Sequence, residues 1–467
     1  MNTILEMSGR TMLGAALMLV LLAGCNAKKT AGLLWEPATW SGKVDLPAQA
    51  AQLAQGQSNL FVKFDLLQLQ SPLTKRIELP LPDGTSIFID KTGEDHVGKT
   101  GFIWRGKVEG DDKSIATFSI VNDVLVGDVV MSSGKMYRID HVTADVQIIF
   151  ELDPSTFPAE AAPVSAAKPS VPIPEGPTST PSCPEDSADR IDIMVVYTEA
   201  ACAAAPIVNL SACTAFGKNV TEAKINQAVA ETNTIYMNSG VNHRIWLVHI
   251  GSVGPYTEGQ TLDLDLTRLK LSEQQGEKGK TGDPVAYLEG VLNLRDQHHA
   301  DAVVLIVQPM NRYPKNAACG LSTQMSVNKK WVEKDAFSVV PVDCATGNFS
   351  FGHELGHIMG AGHDADTATQ VSLIGPNRGF IKAQPSQAGV APWRTVMAQN
   401  SGECFAANSA IGCARLPNWS NPDQLHHGDP MGSTEANNRQ VLNETAGTVA
   451  NFRRSSDCGG SEVSDPG

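Results

Sequence analysis

Residues 353–364 have the types and the spacing of a metal-dependent hydrolytic site. The sequence there is HELGHIMGAGHD. His353 and His357 are four residues apart, so on a helix their imidazoles project from one face, roughly 6 Å apart, and can share a metal ion. Glu354 would then lie beside the metal, where a carboxylate can take a proton from a zinc-bound water molecule.

The third ligand depends on where this helix stops. Gly360 lacks a Cβ and tolerates the positive φ that a sharp turn back toward the metal needs, so His363 can return beneath it. Three protein ligands leave a position open for water, whereas structural zinc sites usually close with a fourth residue. We therefore predict one catalytic zinc ion bound by His353, His357 and His363, with Glu354 as the catalytic residue. Two alternatives are three histidines on an ordinary helix and a purely structural zinc ion.

The full motif resembles the signature of the metzincin zinc endopeptidases, H-E-x-x-H-x-x-G-x-x-H followed by a methionine turn. Met397 lies 34 residues beyond His363, at the spacing expected for that turn, which in the family forms a hydrophobic floor under the metal. Asp364 resembles the aspartate of the reprolysin (adamalysin) branch, where it braces the lower subdomain. Gln399 stands two residues after Met397, so the tyrosine ligand of astacins and serralysins is missing.

Other segments resemble bacterial reprolysin-like enzymes, including peptidyl-Asp metallopeptidases. They are 191–198, 419–422 and 437–452, and the resemblance covers about residues 188–455. It implies a zinc-dependent endopeptidase that hydrolyses peptide bonds in proteins, and it raises cleavage next to aspartate as a hypothesis. The pocket for that side chain is expected in the loop 393–400, where Arg394 is a candidate cation. The alternative is an exposed or internally paired arginine.

The N-terminus predicts export. Residues 12–22 form an apolar run that is too short to cross a bilayer core of about 30 Å and has the length of a signal-peptide core. It ends in Leu22-Ala23-Gly24-Cys25, which resembles a bacterial lipobox. We predict a lipoprotein signal peptide over residues 1–25 and a lipidated Cys25 that anchors the chain at the cell envelope, the outer membrane if the source is Gram-negative. The alternative is an ordinary cleaved signal with an incidental cysteine.

The other cysteines predict disulfides, because eight of nine remain once Cys25 is set aside, an even number in an exported protein. The candidate pairs are Cys202 with Cys213, Cys319 with Cys344, Cys404 with Cys413, and Cys183 with Cys458. Cys183 has a second interpretation, in which a pro-segment thiolate occupies the open position of zinc and keeps a protease silent.

A shift in composition divides the chain. Residues 153–187 carry nine of its 27 prolines and are rich in Ala and Ser, which predicts an extended linker exposed to proteolysis. Ahead of it, residues 34–152 show short alternating apolar runs separated by turn signals, which predict a small all-β domain. That domain resembles the pro-domains of bacterial reprolysin-like enzymes; the alternative is a permanent spacer or binding module. Residues 456–467 are predicted to be a C-terminal tail.

Over residues 188–455 strand and helix patterns alternate, which together with the resemblance predicts an α/β metzincin catalytic domain with a mixed, mostly parallel sheet. The predicted strands are 191–198, 244–250, 301–307, 320–326 and 337–342, and the predicted helices are 221–238, 285–299 and 434–452. The polar strand at 320–326 is expected at the sheet edge, where an extended substrate could pair with it antiparallel.

The formal net charge of −14 argues against a nucleic-acid partner. The expected partners are protein or peptide substrates and, through Cys25, a membrane; the chain is expected to be a monomer. Calcium binding by Asp364, Asp366 and Glu403 stays open, although no loop has the calcium-hand signature.

The preferred interpretation is a lipid-anchored endopeptidase made as a zymogen, whose catalytic domain could be released by cleavage of the linker. Two other functions stay open. One is a non-catalytic binding lipoprotein on a metzincin scaffold, and the other is a zinc amidase that acts on the cell wall.

Overall fold

Two large sheets organise the chain. The computed structural model describes residues 34–47, 50, 59–143, 145–165, 186–208, 210–271, 288, 290–313, 317–325, 333–364 and 375–454. The strands are β1 Trp35–Pro37, β2 Asn59–Phe64, β3 Arg76–Pro80, β4 Ser86–Val97, β5 Gly101–Val108, β6 Ile115–Val121, β7 Val124–Val130, β8 Met136–Thr143, β9 Val146–Leu152, β10 Val164–Ser165, β11 Arg190–Tyr197, β12 Arg244–Ser252, β13 Ala302–Val307, β14 Leu321–Gln324, β15 Phe337–Pro341, β16 Ile381–Lys382, β17 Trp393–Arg394, β18 Ala414–Arg415, β19 Asn421–His426 and β20 Asp429–Met431. The helices are α1 Leu66–Leu69, α2 Glu199–Ala204, α3 Ala215–Ser239, α4 Leu262–Leu271, α5 Val291–Gln297, α6 Ser350–Ile358, α7 Gly402–Ala407 and α8 Asn438–Val449.

Strands β1–β9 form one antiparallel sheet in the order β1-β2-β9-β8-β7-β6-β5-β4-β3. Successive side chains of a strand point to opposite faces, and here each face has its own core. Leu125 and Val129 of β7 pack into a core within this N-terminal sheet, whereas Val126 and Val130 belong to the core that continues into the rest of the chain. This alternation explains why the central strands are buried on both sides.

The second sheet has six strands in the order β10-β14-β15-β13-β11-β12. The pairs β12–β11, β11–β13 and β13–β15 are parallel, and β14 is antiparallel to β15. The five predicted strands correspond to β11, β12, β13, β14 and β15. Each predicted end differs from the observed end by at most two residues. The helix predicted at 434–452 is shorter and begins after Asn437, whose side chain caps it. The sequence did not predict α4.

Strand β14 lies at the predicted edge, but its outer side is covered by the chain itself. Strand β10 pairs with it in parallel, with Val164 opposite Thr323. The linker prediction therefore differs from the structure over residues 154–165. Low hydrophobicity argued against a packed segment there. In the structure the few apolar side chains of the segment, Phe157, Ala161 and Val164, pack against hydrophobic cores, and backbone hydrogen bonds to the sheet edge add to this contact. Residues 166–185 of the predicted linker lie outside the described residues.

Buried charges join the N-terminal sheet to the chain that precedes α6. Arg138 of β8 forms an ion pair with Asp128 of β7 at 2.8 Å, and both side chains are buried. The same guanidinium donates to the carbonyl oxygen of Thr346 at 3.0 Å, and Gln227 of α3 donates to Asp128 at 2.7 Å. Because buried ions need paired partners, these contacts fix the N-terminal sheet against α3 and the entry to α6.

Three of the predicted disulfides are confirmed. The structure joins Cys202 to Cys213, Cys319 to Cys344, and Cys404 to Cys413. Cys25, Cys183 and Cys458 lie outside the described residues, as do the predicted signal peptide and tail. Within the described part of the chain, no helix has the length and hydrophobicity needed to span a membrane.

Candidate metal centre

Helix α6 and the turn after it place the three histidines. His353 and His357 lie one turn apart on α6, and both are fully buried. The helix gives way to Gly360, which has φ of +97°. Ala361 N donates to the carbonyl oxygen of Gly356 at 2.8 Å, a helix-ending hydrogen bond of the kind that a left-handed residue permits. The chain then reverses and brings His363 beneath the helix, as the position of Gly360 predicted.

The three imidazoles converge through their Nε2 atoms. The distances are 3.1 Å from His353 to His357, 3.0 Å from His353 to His363, and 3.1 Å from His357 to His363. Among the described residues, this is the one group of three or more His, Cys, Asp or Glu side chains arranged to hold a metal ion. Asp366, one of the calcium candidates, lies outside those residues, and calcium binding stays a prediction.

Each ring is also held by its other nitrogen. Nδ1 of His353 lies 3.0 Å from the carbonyl oxygen of Val396, and Nδ1 of His357 lies 2.8 Å from that of Ala361. The side-chain amide of Gln399 lies 3.0 Å from Nδ1 of His363. A carbonyl oxygen accepts from Nδ1–H, so the contacts at His353 and His357 fix the orientation of those two rings and direct their Nε2 atoms toward a metal.

These residues fit a zinc ion. Nitrogens bound tetrahedrally at about 2.0–2.1 Å are about 3.3 Å apart, close to the observed separations. Burial, followed by the repulsion of neighbouring cationic groups, lowers the pKa of His353 and His357 well below the usual range and that of His363 to about 4. The rings are therefore kept neutral, and a neutral imidazole is the form that binds metals.

The predicted methionine lies under the helix. Met397 is fully buried, and its Sδ would be 3.3 Å from a Cβ added at Gly356; the indole of Trp419 would be closer still at 2.5 Å. Asp364 accepts a hydrogen bond from the backbone N–H of Gln399 at 2.8 Å. The aspartate after the third histidine thus ties that histidine to the segment that follows Met397.

Glu354 lies between the metal centre and the edge strand. It is completely buried, and a Cβ at Gly320 would overlap its carboxylate, so only glycine permits this approach. Burial, and next the negative charge of Glu160, raise the pKa of Glu354 well above its usual range. The motif predicted where Glu354 would lie but gave no indication of Gly320 or Glu160.

A buried arginine beside the metal centre was not predicted from the sequence. Arg415 of β18 donates through Nε to the Val396 carbonyl oxygen at 3.0 Å, and its Nη2 lies 2.8 Å from Nδ1 of His353. Arg394, the predicted candidate cation, is buried and donates to the carbonyl oxygen of Ala398. Arg394 is therefore internally paired, as the alternative interpretation held, and the cation that contacts a histidine of the site is Arg415.

The turn at Gly360 gives a testable prediction. Gly360→Ala forces a side chain into a backbone conformation that costs about 1–2 kcal/mol for L-residues, so His363 should be displaced from the other rings. We expect a lower melting temperature and less than one zinc per chain by elemental analysis. Gly402→Ala is the matched control, because its added Cβ meets no atom within 4 Å. Full zinc content and an unchanged melting temperature in Gly360→Ala would contradict the role of this turn.

The comparisons with known proteins agree with this geometry. Residues 188–415 match the Reprolysin_5 family, described as metallo-peptidase family M12. A peptidyl-Asp metalloendopeptidase of Stenotrophomonas maltophilia strain R551-3 is 29% identical over 88% of this chain and 86% of the relative. One from strain K279a is 28% identical over 92% and 91%, and one from Xanthomonas campestris pv. campestris is 27% identical over 82% and 83%. We conclude that the chain is a zinc metalloendopeptidase and that residues 188–415 are similar to the reprolysin-like domain of metallo-peptidase family M12.

Proposed function

We propose that the chain is an exported, lipid-anchored zymogen of an endopeptidase, with His353, His357 and His363 as zinc ligands and Glu354 as the catalytic carboxylate. The observation that carries the proposal is the convergence of three Nε2 atoms within 3.0–3.1 Å of one another. Glu354 is the residue next to the first ligand and is buried beside them. When bound, zinc supplies a Lewis acid that polarises a carbonyl oxygen and lowers the pKa of water.

In the proposed reaction, Glu354 takes a proton from the attacking water molecule and then delivers it to the leaving amine nitrogen. One carboxylate can serve both steps because Glu354 holds the proton of the water molecule after the first step and gives it to the amine nitrogen in the second. The contacts at the three Nδ1 atoms keep the imidazoles in place during these steps. Strand β14 supplies backbone N–H and C=O groups along which an extended substrate pairs antiparallel.

The proposed specificity is for peptide bonds next to aspartate. The relatives that match most of this chain are named peptidyl-Asp metalloendopeptidases. A pocket for an acidic side chain needs a desolvated cation, because a charge-assisted hydrogen bond is stronger there than in water. Arg415 supplies such a cation beside His353.

The zymogen proposal rests on the first part of the predicted linker. Residues 159–165 lie along β14 and the two residues before it, and β14 is the strand that we assign to substrate binding. A chain that covers this strand blocks the substrate until the segment leaves. Cleavage within residues 166–185 would separate the segment from the catalytic domain.

Export is supported by the three disulfides, because such bonds form and persist in oxidising compartments. The proposed anchor is the lipidated Cys25 of the Leu22–Cys25 lipobox-like segment. The relatives' names favour an endopeptidase over a wall amidase or a non-catalytic binding lipoprotein.

The catalytic role of Glu354 is tested by Glu354→Gln. The amide has nearly the same shape but cannot take the proton, so we expect zinc content and melting temperature to stay unchanged. Chelator-sensitive peptide cleavage should fall by at least about 100-fold, because general acid–base catalysis typically contributes 10²–10⁴-fold. Glu435→Gln is the matched control, since that side chain is exposed. Turnover of Glu354→Gln near the wild-type value would contradict the role.

Lipid anchoring is tested by Cys25→Ser in the full chain. We expect the wild type to fractionate with membranes and its N-terminal peptide, beginning at Cys25, to carry the mass of attached lipid. The variant should lack that mass and leave the membrane fraction, because the thiol is the attachment point. A wild-type mature chain that begins elsewhere with an unmodified Cys25, or that lacks Cys25, would show an ordinary cleaved signal instead.

A further inference from the structure

An acidic side chain of the chain's own N-terminal part is bound beside the candidate metal centre. Glu160 follows the N-terminal sheet, yet it is only 6% exposed. Its Oε1 accepts from Nη1 of Arg415 at 2.9 Å and from Oγ of Ser350 at 2.9 Å. Both partners are more than nine-tenths buried. A buried carboxylate is costly unless it is paired, so this is a built contact and not an incidental surface ion pair.

The backbone around Glu160 follows the edge of the sheet. Cys319 N donates to the carbonyl oxygen of Ala159 at 3.3 Å, and Ala161 N donates to that of Gly320 at 3.1 Å. Further along, β10 pairs with β14. The pairing is parallel, whereas a substrate is expected to pair antiparallel. The segment therefore fills the edge without presenting a peptide bond in the direction expected of a substrate.

Two further contacts locate Glu160 beside the histidines. The side-chain amide of Gln399 donates to the Glu160 carbonyl oxygen at 3.0 Å, and the same amide lies 3.0 Å from Nδ1 of His363. The carboxylate end is linked to His353 through Arg415, whose Nη2 lies 2.8 Å from Nδ1 of that ring. Gln399 thus bridges the main chain of Glu160 to His363. Arg415 bridges the Glu160 carboxylate to His353.

Arg415 is fixed for an acidic partner. Its Nη1 donates to the carbonyl oxygen of Asn348 at 2.6 Å as well as to Glu160, and its Nε donates to Val396. A cavity of about 180 Å³ adjoins this contact and is lined by Glu160, Arg415, Arg394 and residues 398–400. If Glu160 leaves, the guanidinium loses its paired carboxylate, and an uncompensated buried charge is strongly unfavourable. An incoming carboxylate would restore the pair.

From these contacts we propose that Arg415 is the residue that recognises an acidic side chain of the substrate, and that Glu160 occupies this subsite in the unprocessed chain as an internal acidic competitor. The proposal rests on the proposed function and adds to it a recognition residue and a means of autoinhibition. Ser350 is the second donor of the subsite. The substrate class is a peptide with an aspartate or another carboxylate side chain next to the scissile bond.

The test uses the full chain with Glu160→Gln, Arg415→Met and Ser350→Ala. Each variant is given a pair of peptides that differ only by Asp or Asn at the position next to the cleaved bond. Cleavage sites in a mixed peptide library are mapped by mass spectrometry before and after the linker is nicked. Zinc content is measured for every variant. Glu109→Gln is the matched control for Glu160, because its carboxylate is half exposed in the N-terminal sheet.

Glu160→Gln should raise the cleavage rate of the Asp peptide by the unprocessed chain at least about tenfold, because a hydrogen bond between charged groups is lost. The preference for Asp over Asn should stay as in the wild type. The control should behave as the wild type does. An unprocessed Glu160→Gln chain that is no faster than the wild type would overturn the role of Glu160.

Arg415→Met should lower the preference for Asp over Asn by about 10- to 100-fold, with cleavage at other residues retained in the library. Arg415 also contacts Val396 and His353, so its replacement could disturb the metal centre. Ser350→Ala therefore provides a second variant, which removes only a hydroxyl group from the subsite. It should lower the preference by about three- to tenfold. If Arg415→Met has lost zinc, Ser350→Ala decides, and an unchanged preference in that variant overturns the recognition role.

The same data separate this inference from the proposed function. A nicked wild-type chain without chelator-sensitive cleavage would contradict the endopeptidase proposal itself, and cleavage without preference for aspartate would contradict the proposed specificity. Wild-type cleavage next to aspartate that stays equally selective in zinc-loaded Arg415→Met would overturn the assignment of Arg415 alone.

Discussion

The burial of three imidazole rings around one point is the constraint on which the rest of the site depends. Three nitrogens within 3.1 Å of one another would be unfavourable if the rings were protonated, so they must be neutral and share a partner. The carbonyl oxygens of Val396 and Ala361 and the amide of Gln399 hold the opposite nitrogens. The path after α6 follows from the same requirement, since the chain must reverse at Gly360 to bring the third ring under the helix.

The edge strand and the histidine helix form one functional unit. Gly320 lies so close to Glu354 that no side chain fits between them, and the Cys319–Cys344 disulfide ties the start of β14 to the chain that follows β15. A peptide paired with β14 would therefore pass directly beside the Glu354 carboxylate. In the structure the segment around Glu160 takes that path, and Arg138 fixes the N-terminal sheet against the entry to α6.

Local patterns predicted most of the scaffold. The histidine motif predicted the helix, the turn and the position of the third histidine, because each depends on residues within one or two turns of its neighbours. Strands such as β11 and β13 were predicted from continuous β-branched runs, which indicate burial on both faces. The order β10-β14-β15-β13-β11-β12 could not be deduced from these runs.

The contacts that distinguish this chain are non-local, and no spacing rule indicates them. Glu160 and Arg415 are separated by 255 positions, and each alone resembles an ordinary surface charge. Composition predicted an extended linker over residues 153–187, but it could not indicate that residues 164–165 would pair with a sheet edge. Arg394 was the candidate cation because it lies close to Met397 in sequence, whereas β18 brings Arg415 nearer to the histidines in space.

The most direct test of the metal centre is an anomalous difference map at the zinc absorption edge from crystals of the full chain. The account predicts one strong peak at about 2.0–2.1 Å from the Nε2 atoms of His353, His357 and His363, with the Glu354 carboxylate beyond bonding distance. A peak elsewhere, or one bonded to Glu354 in place of a histidine, would contradict it.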